Sequence, residues 1–300
     1  MTAGADGTGS FVTDSIARDG RRVPYCLYGP STGRPVVFEY GTPGFRQLSP
    51  SMVDAALRAG AQLLVVDRPG FGGSDRYKGR AIVDVVGDVV GVVNSLGWDS
   101  FAIWGGSGGA PHALACAAVL GSRVTRCASV VGPAPFDAEG LDWYAGMSPG
   151  NVEEFTAAAI GEGAYRPLVQ RLAEEAVASV ESGSIQVADD YHLPESDLVA
   201  LRARRTEDGY VDRMRATYTG GIDGWIDDCI AMTRPWGFDL QTLAVPISVW
   251  YGPDDVLSPR GHAEHLLTAI PHAQRQELPA GGHVLSTADL AAIYHWLLHP

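Results

Sequence analysis

Positive charge is scarce in this 300-residue sequence: 22 lysine and arginine residues stand against 35 aspartate and glutamate residues, for a formal net charge of -13. Binding to nucleic-acid phosphates or to anionic lipid surfaces depends on clustered Lys and Arg side chains. The shortage of such residues argues against a nucleic-acid partner and against a membrane-surface partner.

Long apolar runs are also missing. The first residues, MTAGADGTGSF, lack the basic start and apolar stretch of a secretory signal. No segment approaches the ~20 apolar residues that a membrane-spanning helix needs. These absences predict a soluble, cytoplasmic protein.

Cysteine is rare, and no two cysteines have CxxC spacing, so the sequence indicates neither a zinc site nor a redox pair. We expect all four to be small buried apolar residues; they are Cys26, Cys116, Cys127 and Cys229. Hydrophobic residues make up 46% of the chain and charged residues 19%, which predicts a chain that folds unaided.

From about residue 35, short apolar runs alternate with longer segments of helical periodicity, a pattern typical of a mostly parallel sheet covered by helices on both faces. The N-terminal part, including RRVPYCLYG, is expected to add antiparallel strands at one edge. The predicted strands of the alternating region are PVVFEY (35–40), AQLLVVD (61–67), FAIWG (101–105), VTRCASVVG (124–132), VPISVWYG (245–252) and QRQELPA (274–280), with helices between them.

After Gly132 this alternation stops, and about a hundred residues of helical character follow without a convincing strand. The interruption predicts an inserted helical cap at residues 134–238. Residues 1–133 and 239–300 would then form the core.

A G-x-S-x-G motif, residues 105–109, lies between a predicted strand and a predicted helix. In such a turn the serine has a strained backbone and exposes its hydroxyl, and the outer glycines are needed because strand and helix nearly touch. We therefore predict Ser107 as a nucleophile. The amide of Gly108, at the start of the helix, is the expected first donor to an oxyanion.

A second loop, Tyr40–Gly44, follows the strand PVVFEY and is expected to supply another amide to the same oxyanion, with Thr42 as donor. Pro43 and Gly44 favour a type II turn there. The next loop, DRPGFGGSD (67–75), is interpreted as structural, although Phe71 is a candidate for the pocket wall.

A serine nucleophile needs a base to take its proton and an acid to orient that base. Where the serine lies at a strand-to-helix turn of a parallel sheet, the three residues follow in the chain order Ser, acid, His. Two carboxylates, Asp254 and Asp255, follow the strand VPISVWYG, and the G-x-x-D pattern favours Asp255. His283, on the glycine loop PAGGHV, is the predicted base. His112 is expected to point away from Ser107, and the pair His262 and His265 is interpreted as part of a solvated helix face, so no metal or organic cofactor is expected.

Together these segments resemble the α/β-hydrolase family from about residue 20 onward. The resemblance implies an eight-stranded, mostly parallel sheet, a helical cap, and serine-esterase chemistry. The segments that carry it, in order, are YGTPG (40–44), similar to the family's HG-x-PG loop, DRPGFGGSD (67–75), GGSGG (105–109), LDWYAGMS (141–148), GWIDDCIAMTRPWGFDL (224–240), GPDD (252–255) and GGH (281–283).

Differences within the family narrow the chemistry. Dehalogenases and epoxide hydrolases have an Asp where Ser107 stands, so Ser107 points to acyl transfer. Proline iminopeptidases usually show HGGPG and GGSWG, whereas Tyr40 replaces the first His here and Gly108 stands in place of the Trp. Tyr40 cannot offer the hydrogen bonds of an imidazole in the same geometry.

The expected substrate is therefore a small or medium-sized carboxylic ester, cleaved through an acyl-enzyme. An aminopeptidase or amidase, a lactonase or C-C bond hydrolase, and a non-catalytic small-molecule receptor remain alternatives. Glutamates 153, 154, 174 and 175 are interpreted as solvated helix faces rather than as an amine site. Core packing explains the aromatic residues near the cap equally well, but we take as candidate substrate contacts Tyr40, Phe71, Trp143, Tyr144 and Trp225.

Overall fold

The computed structural model describes residues 2–5, 10–183, 191–278 and 281–299. Within these ranges nine strands form a single sheet. They are β1 (Thr2–Ala5), β2 (Ser10–Arg18), β3 (Arg21–Tyr28), β4 (Arg34–Glu39), β5 (Ala61–Val66), β6 (Phe101–Gly106), β7 (Val124–Val130), β8 (Ile247–Tyr251) and β9 (Gln274–Glu277).

The strand order is β1-β2-β3-β5-β4-β6-β7-β8-β9. All pairings from β5 to β9 are parallel, and the three at the N-terminal edge are antiparallel. The predicted mostly parallel sheet with antiparallel edge strands is confirmed, and the short β1 adds one strand to the eight expected. The last two residues of the predicted strand QRQELPA, 279 and 280, lie outside the described residues.

Helices cover the sheet, with α1 packed on α10 and α2 packed on α3. The described helices are α1 (Pro50–Arg58), α2 (Val86–Ser95), α3 (Ala110–Leu120), α4 (Pro149–Ile160), α5 (Glu162–Ser182), α6 (Glu195–Arg205), α7 (Tyr210–Thr219), α8 (Asp223–Met232), α9 (Arg260–Ala269) and α10 (Thr287–Leu298). In the described part of the chain, none of them is both long and apolar enough to span a membrane.

Between β5 and β6, where the sequence predicts a helix, the segment 81–97 begins instead with a short 3₁₀ turn, Ile82–Val85, before α2. The Asp84 carboxylate accepts the amide of Ala81 at 2.8 Å, and the Trp236 carbonyl accepts the amide of Val83 at 3.0 Å. These contacts close the first turn on itself and attach it to the segment that returns to β8.

The core lies between the sheet and its helices. Trp104 on β6 is fully buried, and its ring stacks on Phe38 of β4 with centroids 4.0 Å apart. The four cysteines are buried and free, as predicted. Apolar burial on both faces is what a parallel sheet between helices requires.

Helices α4 to α8 all lie between β7 and β8, where the sequence predicts an insertion. We call residues 131–246 the inserted segment. Its described part contains no strand. The exact limits of a separate cap domain, 134 and 238, remain a prediction.

The chain order reverses around β4, because β4 pairs with β5 on one side and with β6 on the other. In open parallel sheets such a reversal leaves a crevice at the carboxyl ends of the strands. The loops that follow β4 and β6 therefore meet there, and the loops after β8 and β9 join them from the same end of the sheet.

Candidate active site

Ser107 lies at the turn between β6 and α3 and has a φ of +54°, which is unusual for a residue other than glycine. A side-chain carbon on Gly105 would collide with the carbonyl of Gly109, and one on Gly109 would collide with the carbonyls of Glu39 and Tyr40. The backbones of strand and helix are thus in contact here, as the motif predicts. The turn lifts the Ser107 hydroxyl clear of the sheet.

The structure brings Ser107, His283 and Asp255 into one hydrogen-bonded chain. The Ser107 Oγ lies 2.8 Å from the His283 Nε2, and the His283 Nδ1 lies 2.9 and 3.1 Å from the two Asp255 oxygens. The 176 residues between Ser107 and His283 are thereby bridged at the carboxyl end of the sheet. This arrangement allows the imidazole to take a proton from the hydroxyl while the carboxylate orients it.

Asp255, rather than its exposed neighbour Asp254, contacts the imidazole. The Oδ1 atom of Asp255 also accepts the backbone amides of Leu257 and Ser258 at 2.8 and 2.9 Å. These amides fix the carboxylate, and Asp255 is only 4% exposed. A carboxylate held this way can orient the imidazole without moving itself.

The pKa of His283 is raised above its ordinary value of 6.5. Burial lowers it, but the charge and hydrogen bond of Asp255 outweigh burial. The imidazolium that would form during proton transfer is therefore stabilised in this site.

Both predicted oxyanion residues lie beside the hydroxyl. A side-chain carbon on Gly108 would lie 2.6 Å from the Thr42 Oγ1, and one on Gly41 would lie 3.3 Å from the Ser107 Cβ. The predicted type II turn is wrong: the Thr42–Pro43 bond is cis and Gly44 does not have the positive φ that this turn demands. Gly44 instead packs against the Tyr40 ring, where a side-chain carbon would come within 2.7 Å.

A buried arginine that the sequence analysis did not single out braces this loop. Arg68 is fully buried and donates to the carbonyls of Tyr40 and Gly41 at 2.7 and 3.2 Å and to the Thr42 hydroxyl at 3.1 Å. Its guanidinium also lies over the Tyr40 ring, 4.2 Å from the centroid. Tyr40 thus takes part in the brace, and its hydroxyl accepts the Arg68 amide at 2.9 Å.

Asp228 on α8 anchors the same loop from the inserted segment. Its Oδ2 accepts the Thr42 hydroxyl at 2.6 Å and the Arg68 side chain at 2.7 Å, while its Oδ1 accepts Arg80. Burial raises the pKa of Asp228, but Arg68 and Arg80 outweigh it and hold the pKa well below its usual range. A charged residue within the apolar stretch of GWIDDCIAM was the signal that could have identified it.

Two further titratable groups adjoin this cluster. Burial raises the pKa of Glu39 to about 7, against the opposing charge of Arg68, whose Nη1 is 3.6 Å away. Burial lowers the pKa of His112 to about 4, and its ring contacts the Ile82 carbonyl at 3.2 Å and Asp228 at 3.5 Å. His112 therefore serves the buried cluster, consistent with its predicted direction away from Ser107.

A cavity of about 680 Å³ opens above Ser107, Gly108 and Thr42. Its walls come mainly from the inserted segment and combine apolar side chains, such as Phe155, Met214 and Trp225, with charged ones, namely Glu154, Glu175 and Arg205. The volume lies within the range of about 300–1,000 Å³ typical of small-molecule sites. The hydroxyl of Ser107 is accessible from this cavity.

Of the five aromatic residues predicted to contact substrate, Trp225 lies in the cavity wall. The structure does not place the other four there. Tyr40 and Phe71 are buried around Arg68, with Phe71 also against Gly224. Trp143 and Tyr144 pack with Phe136 and Phe155, and the Trp143 indole donates to the Ala134 carbonyl at 2.9 Å.

Two residues expected on solvated helix faces, Glu154 and His262, are buried instead. Glu154 is not on a solvated face but is 7% exposed, because the hydroxyls of Tyr165 and Tyr191 donate to its two oxygens in the cavity wall. His262 is 1% exposed rather than solvated, since its Nδ1 accepts the Ala134 amide at 3.1 Å. Burial also lowers the pKa of His262 to about 4.

A curated relative matches part of this chain in sequence, and solved structures match nearly all of it in fold. Epoxide hydrolase B of Mycobacterium tuberculosis is 37% identical over 93 residues, which cover 30% of this chain and 25% of that protein. The chain thus matches about a quarter of the length of this curated relative.

Many solved structures match nearly the whole chain, among them an esterase and an enol-lactonase. An esterase from Thermogutta terrifontis has a TM-score of 0.67 at 21% identity, covering 97% of this chain and 99% of the other. The enol-lactonase from Burkholderia xenovorans LB400 has a TM-score of 0.62 at 23% identity, covering 95% and 98%. At these identities the likeness establishes the fold.

The family profile described as alpha/beta hydrolase fold matches residues 34–287, a range that contains the elbow, the acid loop and the histidine loop. The strand order of the sheet, the geometry of the turn at Ser107 and this match all point to the same family. The chain belongs to the α/β-hydrolase family.

Proposed function

We propose that this protein is a serine hydrolase that cleaves a small or medium-sized carboxylic ester through an acyl-enzyme. The observation that carries the proposal is the unbroken chain of hydrogen bonds from the Ser107 hydroxyl through His283 to Asp255. A serine hydroxyl is a weak nucleophile by itself, and such a chain is how it becomes reactive near neutral pH.

In the first step the Ser107 Oγ attacks the ester carbonyl carbon and its proton passes to the His283 Nε2. The carbonyl oxygen becomes an oxyanion that accepts the Thr42 and Gly108 amides. The tetrahedral intermediate then collapses, the bond to the alkoxy oxygen breaks, and His283 returns the proton so that an alcohol leaves. The acyl group remains esterified to Ser107.

In the second step His283 takes a proton from water, whose oxygen attacks the acyl carbon. A second oxyanion forms in the same place, and its collapse breaks the bond to the Ser107 Oγ. His283 protonates that oxygen, and the carboxylic acid is released. Asp255 stays ionised throughout and stabilises the imidazolium formed in each step.

The cavity supports a substrate of modest size with an apolar part. Its volume fits a small or medium-sized molecule, and Met232, Trp225 and Leu257 contribute apolar surface to its wall. The serine at the elbow distinguishes this chemistry from that named for the epoxide hydrolase relative, because members of that class have an aspartate there.

A second candidate, an aminopeptidase or amidase, is favoured by one feature. Glu154 presents a buried carboxyl in the cavity wall, where it could pair with a substrate amine. Its oxygens already accept phenolic hydrogen bonds from Tyr165 and Tyr191, and burial raises its pKa. Both effects weaken its attraction for a cation, so the ester function is better supported.

The test compares p-nitrophenyl esters of increasing chain length with prolyl and other aminoacyl arylamides. We expect ester turnover to exceed arylamide turnover and Ser107→Ala to reduce it by about 10³-fold or more. Preference for arylamides would favour the second candidate. Tight ligand binding with negligible turnover of every substrate would instead favour a receptor.

A further inference from the structure

Asp197, on α6 of the inserted segment, binds the loop that carries the histidine base. Its Oδ2 accepts the backbone amide of His283 at 2.9 Å, and its Oδ1 accepts the amide of Val284 at 2.8 Å. The two residues lie 86 and 87 positions further along the chain. Asp197 is completely buried.

The contact extends to the residues on either side. Gly282 packs so closely on the Asp197 carboxylate that a side-chain carbon there would collide with it. Arg204, two turns further along α6, donates to the Leu285 carbonyl at 3.0 Å. Helix α6 therefore holds four consecutive residues of the histidine loop.

Hydrogen bonds from amides to an ionised carboxylate are roughly twice as strong as neutral ones. A loop residue tends to be mobile unless its backbone is fixed. Displacement of a reacting group by about 1 Å can cost about 10²-fold in rate. Asp197 thus fixes the backbone of His283, whereas Asp255 fixes its side chain.

We propose that Asp197 is a positioning residue through which α6 aims His283 at Ser107, so that the base is in place only while this part of the inserted segment is docked on the core. The inference rests on the proposed hydrolase function. Asp197 does not contact the reacting atoms and acts through His283.

The charged groups around His283 shift its pKa, and this shift can be measured in the pH profile. Its charged or titratable neighbours are Asp255 after β8, Ser107 at the elbow, and Asp197 and Arg204 on α6. Burial lowers the pKa of His283, Asp255 raises it most, Asp197 raises it further, and Arg204 lowers it. Loss of the Asp197 charge should therefore lower this pKa, whereas a loss of global stability that leaves the folded site intact would not change it.

The test uses Asp197→Asn, which keeps one carbonyl oxygen but turns an amino group toward one of the two amides. We expect kcat for an ester to fall about 10–100-fold, KM to change little, and the acidic limb of the pH profile to move to lower pH. The control is Glu195→Gln on the same helix, whose exposed carboxylate pairs only with Arg202 among the described contacts. It should behave as the unaltered protein does.

Ester turnover by the unaltered protein separates the two proposals. If that protein turns over no ester, the proposed function fails. If it does and Asp197→Asn matches Glu195→Gln in kcat and pH profile, only the positioning role is overturned.

Amide hydrogen exchange in the unaltered protein tests the same contact should Asp197→Asn fail to fold. We expect the amides of His283 and Val284 to be protected and to exchange together with those of α6. Exchange of these two amides as fast as that of exposed loop residues would contradict the proposal.

Discussion

His283 contacts both oxygens of Asp255, at 2.9 and 3.1 Å from its Nδ1 atom, and so turns its Nε2 toward Ser107. The contact with Asp255 makes the Nδ1 atom a donor and leaves the Nε2 atom as an acceptor for the Ser107 proton. It also sets how the activity should depend on pH.

Activity requires neutral His283, whose pKa in the folded protein lies above 6.5. We therefore expect kcat/KM for an ester to rise with pH through an apparent pKa above that value. In Asp255→Asn the largest raising influence is lost, so the limb should move to lower pH while kcat falls by about 10³–10⁴-fold. Asp254→Asn, at an exposed site, is the control; equal effects of the two substitutions would refute the assignment of the acid.

The elbow glycines offer a stability test. Gly109→Ala would push a methyl group into the carbonyls of Glu39 and Tyr40, whereas Gly106→Ala meets nothing closer than 3.8 Å. We expect Gly109→Ala to cost at least about 3 kcal/mol of unfolding free energy and Gly106→Ala less than about 1 kcal/mol. Urea denaturation of the two variants measures the difference. Similar losses would mean that strand and helix are not in contact at Gly109.

Asp228→Asn should break the hydrogen bonds that brace the loop carrying Thr42. Two buried arginines, Arg68 and Arg80, would lose their shared carboxylate, at a cost of about 3–5 kcal/mol. We also expect kcat to fall more than KM rises, because the Thr42 loop loses its anchor. Thermal denaturation and ester kinetics measure both effects.

The matched control is the adjacent Asp227→Asn. Arg76, the partner of Asp227, is partly exposed and also contacts Glu162 and Asp223, so its charge remains compensated. A loss of stability and kcat equal to that of Asp228→Asn would show that the buried cluster does not brace the site.

Relative to the unaltered protein, the Glu39→Gln variant should gain unfolding free energy as the pH rises. Burial raises the pKa of Glu39 from 4.5 to about 7, so the folded state holds this proton more tightly than the unfolded chain does. Stability from this source is full below pH 4.5 and declines as the pH rises toward 7 and beyond. Between pH 5 and 8 the variant should gain on the order of 2 kcal/mol over the unaltered protein in urea denaturation. An unchanged difference at the two pH values would contradict the shift.

The sequence was informative wherever structure is determined locally. Gly105 and Gly109 are needed by the elbow itself, and the strands on either side are continuous apolar runs, so Ser107 could be located from a few neighbouring residues. Asp255 followed from its spacing after a buried strand. His283 followed from chain order once the other two were identified.

What could not be predicted depends on contacts between distant parts of the chain. Asp228 meets Thr42 across 186 residues and Asp197 meets His283 across 86, and no local periodicity predicts either pairing. Tertiary contact also decided the loop at Gly44, where packing on Tyr40 replaced the expected turn. Burial of Glu154 likewise depends on two tyrosines that belong to other parts of the inserted segment.

The most direct measurement is stoichiometric reaction with a fluorophosphonate, followed by peptide mass spectrometry. In this reaction the Ser107 Oγ forms a bond to phosphorus, fluoride leaves, and His283 accepts the serine proton. We predict one adduct per chain, located on Ser107, and a rate at least about 10²-fold lower in His283→Ala. Labelling elsewhere, or equal labelling of the two proteins, would contradict a serine nucleophile activated by this histidine.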